Sequence, residues 1–207
     1  MTTYGFSRVK KHQKHQIHPQ QGVSLIIVMM ILIIVSLLGV AGMQISTMSE
    51  RGARNDRDQQ VAWQSAEAAL VDAEYDIYGP VVVSNRRATF TPTANLQAFA
   101  DGCGTGVNAG LCSLVSTGKP AWLTVDFAAT GSSAPTAAYG SATNRSFTAG
   151  GLGVQPAQAP RYIVEPIPDP GYRNRSDPEP AFVYRVTAMG FGPKTEIQAV
   201  LQMIYRD

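Results

Sequence analysis

Between Lys14 and Glu50 the sequence holds no Lys, Arg, Asp or Glu, and from residue 23 to residue 43 it is almost unbrokenly Leu, Ile, Val and Met. Only Ser24, Ser36, Gly39, Ala41 and Gly42 dilute that run. As a helix, about 21 residues at about 1.5 Å each cover roughly 32 Å, the thickness of a bilayer's hydrocarbon core. Soluble core helices are seldom so long and so uniformly apolar, so the segment predicts a membrane span. Arg8, Lys10, Lys11 and Lys14 stand in front of it, and the first 22 residues contain no acid. Basic flanks stay on the cytoplasmic side, so the bulk of the chain is expected on the far side. An ordinary secretory signal has a shorter apolar core with a small-residue site behind it. Here a glycine, Gly22, precedes the apolar run.

That order, a basic leader, Gly22 and then Val23-Ser24-Leu25-Ile26, resembles the class III signal of type IV pilins and pseudopilins. The resemblance implies a leader over 1–22, cut after Gly22 by a prepilin peptidase. It implies a methylated N-terminus at Val23 and an apolar segment kept as an anchor.

The formal charge of +2 then misleads. Removing the leader takes four of the 17 basic residues and none of the 15 acidic ones, which leaves 13 against 15, or −2. No nucleic-acid footprint remains. All three histidines, His12, His15 and His18, lie in the leader. A polar leader accounts for their spacing, and no metal is assigned to them. A mature chain without histidine cannot run Ser-His-Asp or Cys-His catalysis and lacks the commonest metal ligand. With no glycine-rich phosphate loop either, no catalytic residue and no cofactor is assigned, and the chain does not read as an enzyme. Cys103 and Cys112 are the two cysteines. In an oxidising periplasm they are expected to form a disulfide that closes a small Gly-rich ring. Loop-closure entropy makes that link worth about 2.7 kcal/mol.

The helix is expected to continue past the anchor (about 23–43) through an amphipathic half, 44–78. No proline interrupts it, and Gly79-Pro80 is a stop signal. Trp63, Ala66, Leu70, Ala73 and Ile77 recur at three- and four-residue steps and predict the packing face. Charges including Glu50, Arg51, Arg54, Asp56, Arg57, Asp58, Glu67, Asp72, Glu74 and Asp76 are placed on the other faces. Gly39, Gly42 and Gly52 are weak points where such a helix can bend. The segment 50–58, followed by Ala62-Trp63-Gln64-Ser65-Ala66-Glu67-Ala68-Ala69-Leu70, resembles the N-terminal region of PilX-type minor pilins. Trp63 and Ser65 stand where that group has Phe and Ala. Small side chains let such a helix lie close on a sheet or on neighbouring helices.

Beyond Gly79 the pattern is one of short extended pieces. Residues 81–83, 88–90 and 122–127 are candidate strands; 161–165, 182–187 and 196–205 are stronger ones. Residues 189–194 suit the turn of a hairpin between the last two. Ile197, Ala199, Leu201, Met203 and Tyr205 alternate onto one face, and Val200 and Ile204 point to partial cover of the other. Residues 128–160, with Arg145 as their one charge, predict a long, flexible, exposed loop. The proline-rich stretch 166–180 carries Asp169, Asp177 and Glu179 without calcium-loop spacing. Pro160-Arg161-Tyr162 and Leu201-Gln202-Met203-Ile204-Tyr205-Arg206 also resemble the PilX group, so the likeness covers about the first 80 and last 50 residues. The fold class is α+β and pilin-like. A long N-terminal helix packs through its amphipathic half on an antiparallel sheet of about four strands, within a periplasmic β domain over 79–207.

The resemblance implies a minor pilin that primes assembly of, and enters, a type IV pilus, supporting twitching motility and adhesion. Implied partners are other minor pilins, the major pilin, the prepilin peptidase, the inner-membrane assembly platform and a PilY-type tip adhesin. Before assembly the chain is a single-pass inner-membrane protein. One departure bears on position in the filament. Most pilins carry a glutamate as the fifth mature residue, facing a neighbour's N-terminal amine, and here that residue is Ile27. The departure resembles tip-complex subunits. A type II secretion pseudopilin and an uncleaved membrane-anchored binding or sensor module stay open as alternatives.

Overall fold

The computed structural model describes residues 22–79, 85–90, 96–169, 171 and 182–206. The chain divides into two units, one up to Glu50 and one from Arg51.

The described part of the first unit is helical from Val23, and its residues are exposed throughout. They belong to α1 (Val23–Tyr78), 56 residues that remain helical through Gly39, Gly42 and Gly52. Two of its hydroxyls bond back to the helix itself: Ser36 donates to the Leu32 carbonyl and Thr47 to the Gln44 carbonyl. The stop comes where the Gly-Pro pair places it. The Gly79 amide closes the last turn on the Tyr75 carbonyl at 2.8 Å.

In the second unit, four strands form one antiparallel sheet in the order β1 (Ala137–Ala138), β2 (Arg161–Pro168), β3 (Phe182–Phe191) and β4 (Gln198–Tyr205). β2 pairs with β3 from Arg161↔Met189 to Pro168↔Phe182, and β3 pairs with β4 from Tyr184↔Tyr205 to Phe191↔Gln198. Residues 192–197 turn the β3–β4 hairpin, closed by the Gly192 amide on the Ile197 carbonyl. β1 reaches only the start of β2. Pro166 therefore turns its donorless nitrogen to an edge that β1 does not occupy.

The core lies between one face of the sheet and α1. Ala69, Leu70, Ala73 and Ile77 pack on Tyr162, Val164, Tyr184, Val186 and Ala188, closed at one end by Phe90 and Phe99. Contact at the other end is between backbones. A Cβ on Gly190 would come within 2.2 Å of the Ala62 carbonyl oxygen and the Ala66 nitrogen. The alanines of α1 and Gly190 are thus two halves of one requirement for close approach.

The opposite face of β2 carries a second layer: Cys103, Cys112, Ala121 and Phe127 around Ile163, with Trp122, Val125 and Met189 alongside. Its backbone joins the sheet, since the Cys112 amide bonds the Val164 carbonyl and the Val164 amide bonds Gly110.

Several expectations change. Residues 122–127 are not a strand: α2 (Ala121–Thr124) is one helical turn started by Pro120, which places Ala121 and Val125 on the same covered side. Residues 88–90 are not a strand either; they belong largely to a 3₁₀ turn, Asn85–Thr89, held by its arginines. The fourth strand is instead the short β1, inside the stretch read as a loop. That stretch is not simply exposed, because Ala134, Thr136, Ala137, Ala142 and Thr143 are buried. Val200 and Ile204 stand uncovered, and Met203 is half-exposed although it alternates with buried residues. The candidate strand 81–83 and most of 170–180 lie outside the described residues.

Candidate functional site

Three features could carry function: the start of α1, the seam between α1 and the sheet, and the disulfide ring.

At the start of α1, Gly22 sits in a turn directly before the helix, and a Cβ there would meet nothing within 4 Å. Local structure therefore does not require glycine at 22. Val23 and Ile27 are 55% and 53% exposed. From Val23 to Met48 the large apolar side chains stand uncovered, in a helix long and apolar enough to cross a membrane. Exposed apolar surface on this scale calls for lipid or other apolar helices.

Along the seam, four of the five expected packing residues, Ala66, Leu70, Ala73 and Ile77, are buried. Trp63 is not: it is 50% exposed, and its indole Nε1 donates to Glu67 Oε1 at 2.8 Å. The buried stripe runs instead through Ala62, Ser65, Ala66, Ala69, Leu70, Asp72, Ala73, Asp76 and Ile77. It is rotated toward Ala62 because an indole has no room where Gly190 meets the helix backbone.

The same rotation brings in two carboxylates expected at the surface. Asp76 is almost fully buried. Arg86 Nη2 lies 3.0 Å from its Oδ2, and the Tyr162 hydroxyl donates to the same oxygen. Arg86 also donates through Nη1 to the carbonyls of Val107 and Ala109, so one guanidinium ties α1 to the disulfide ring. Asp72 is 0% exposed. It accepts from the Gly140 amide at 2.8 Å and from the Thr143 hydroxyl, with Arg145 3.8 Å away. The Arg145 guanidinium lies over the rings of Tyr75 and Tyr139, at 4.7 and 5.4 Å. Burial pushes both carboxyls above the usual Asp range; the hydrogen bonds to Asp72 and Arg86 beside Asp76 hold them back in part. On the far face Glu165 is buried against Arg185, whose Nε donates to Oε2 at 3.0 Å and whose Nη2 lies 3.0 Å from the same oxygen. Burial raises its pKa too, with Arg185 opposing.

Each of these carboxylates is committed to a cation or to hydrogen-bond donors. The arrangement clamps segments together. Asp72 holds the loop at 140–145 and Asp76 holds the 3₁₀ turn. Ala69, Asp72, Ala73, Asp76 and Ile77 share three- and four-residue spacing with the buried alanines, but without their partners the two carboxylates read as surface charges.

Cys103 and Cys112 are bonded to each other. The ring they close sits against β2 and receives Arg86.

Two family models match the sequence. One, PilX N-terminal, covers residues 21–71; the other, the C-terminal part of the type IV pilus assembly protein PilX, covers residues 108–207. The second reaches further back than the likeness visible in the last 50 residues. No curated protein and no solved structure matches the chain.

Proposed function

The chain belongs to the PilX family of type IV pilus assembly proteins, and from that premise we propose that it is a minor pilin of the tip or priming complex, processed at Gly22. The uncovered apolar half of α1 carries the reading. Its large apolar side chains stand exposed, so the segment needs a bilayer before assembly and a bundle of like helices afterwards. Small residues at 39, 41 and 42 suit close helix contact. Gly22, which local geometry does not require, is the residue that a prepilin peptidase recognises in the signal described above.

Processing gives Val23 an amine. In a filament core that charge is costly unless a neighbour's carboxylate meets it. Ile27 offers no carboxylate in return, so the subunit can be received on one side only. That favours the end of a stack over its middle. The partners are then other minor pilins, the major pilin, the assembly platform and a tip adhesin. The second unit is the exposed cap, with twitching and adhesion as downstream effects.

N-terminal sequencing and intact mass of the membrane form test the processing. A methylated Val23 start supports it; a start at Met1 or after Gly42 overturns it. Tagged protein imaged along sheared pili tests position, with Ile27→Glu as the comparison. The wild type is expected at one end and the variant along the shaft. An even wild-type distribution overturns the tip assignment.

A further inference from the structure

A polar cavity beside the start of β2 plays no part in the seam. Its volume is about 200 Å³, and it is lined by Gly106 and Ala109 of the disulfide ring, by Ser132, Thr136 and Ser141, and by Arg161. Ser132 and Ser141 are exposed, so the cavity opens to solvent. Arg161 is 7% exposed. Its Nε donates to the Thr136 hydroxyl and its Nη2 to the Thr136 carbonyl. Among the described residues of this unit, the three other arginines that lie buried or half-buried, Arg86, Arg145 and Arg185, each face a carboxylate. Among the described residues no acidic group pairs with Arg161. Burial pushes its pKa down with no acid nearby to offset it. A guanidinium has five N–H donors, and the structure uses two of these. The donors left over include both on Nη1, which with Nη2 makes a fork matched to the two oxygens of a carboxylate.

We propose that this cavity binds a carboxylate, with Arg161 as its charge partner and the hydroxyl of Ser132 as a further donor. A buried cation without a counter-charge is costly, and an anion entering the cavity removes that cost. One protein charge matches a carboxylate better than a phosphate dianion. The volume suits an acetate-sized group or the tip of an acidic side chain. The proposal does not depend on the pilus reading. The carboxylate can come from a small free acid or from an acidic side chain of a partner protein.

The test is the thermal unfolding midpoint of the full chain in detergent micelles, titrated with acetate, a blocked glutamate tripeptide or inorganic phosphate. Ionic strength and pH are held constant with chloride. We expect a saturable rise with a carboxylate, at least tenfold weaker in Arg161→Lys and lost in Ser132→Phe, which fills the exposed rim. Equal response to acetate and peptide assigns the site to small acids; a tenfold preference for the peptide assigns it to a partner's side chain. Either supports the proposal. Indifference to both carboxylates, an undiminished response in Ser132→Phe, or tighter binding of phosphate overturns it. If Arg161→Lys does not fold, Ser132→Phe decides alone.

Discussion

Replacing Gly190 with alanine should be among the most damaging single-methyl additions to this chain. The new Cβ meets backbone, the Ala62 carbonyl oxygen and the Ala66 nitrogen, both at 2.2 Å. Neither can rotate away, so the helix must retreat. Reaching ordinary contact near 3.4 Å needs a displacement of about 1.2 Å at that end. The seam from Ala62 to Ile77 is roughly 22 Å long at about 1.5 Å per residue, and a helix is about 10 Å wide. A wedge of that footprint, opening by about 1.2 Å at one end and closing at the other, encloses roughly 130 Å³. At about 24 cal/mol per Å³ the loss is about 3 kcal/mol. Urea unfolding of the full chain in micelles, followed by fluorescence of Trp63 and Trp122, measures it. Gly52→Ala is the control, because its Cβ meets nothing within 4 Å. In a helix that change should stabilise by up to about 1 kcal/mol. If Gly190→Ala costs under about 0.5 kcal/mol, close backbone approach does not hold α1 to the sheet, and the reasoning fails.

Arg86→Met should cost about 3–5 kcal/mol in the same assay, because it leaves Asp76 buried without its cation. Asp76→Asn in the Arg86→Met background should recover part of the loss. Replacing both Cys103 and Cys112 by serine should cost about 2.7 kcal/mol and speed hydrogen exchange at the Val164 amide, which bonds Gly110. For Asp72 the folded pKa lies above the unfolded 3.8, chiefly through burial. The folded chain therefore holds the proton more tightly, and this contribution to stability is fullest below 3.8 and is lost as pH rises through the folded pKa. The unfolding free energy of wild type minus that of Asp72→Asn should fall as pH rises above about 4; a flat difference sinks the assignment.

The long helix and the hairpin of β3 and β4 were legible because each rests on one periodicity repeated over many residues. The helix stop was legible because Gly79-Pro80 is a local signal. The misreadings share a cause, which is that distant partners decided them. Trp63 satisfies the helical spacing as well as Ala62 does, and only Gly190, over 120 residues away, separates them. Asp72 and Asp76 look like surface charges until Thr143, Gly140, Arg86 and Tyr162 arrive. Residues 128–160 are poor in large apolar side chains, yet a single carboxylate from α1 clamps part of them. Alternation in 122–127 fits a strand, but one helical turn behind Pro120 covers the same side chains. Gly22 and Ile27 belong to a different class. The roles proposed for them lie in contacts with other proteins, and in this chain both positions stand open to solvent.

The seam joins an early part of the chain to its final strands, and this has a consequence for synthesis. The Tyr205 hydroxyl bonds the Leu70 carbonyl across 135 residues. At roughly 5–20 residues per second, α1 waits about 7–27 s after Leu70 is made before β4 exists to meet it. During that interval β2 and β3 come to exist and can meet the alanine stripe, but the side of the seam that β4 supplies stays open. A chain that stalls before β4 therefore offers an unfinished seam to proteases. Completion of β4 is what closes it.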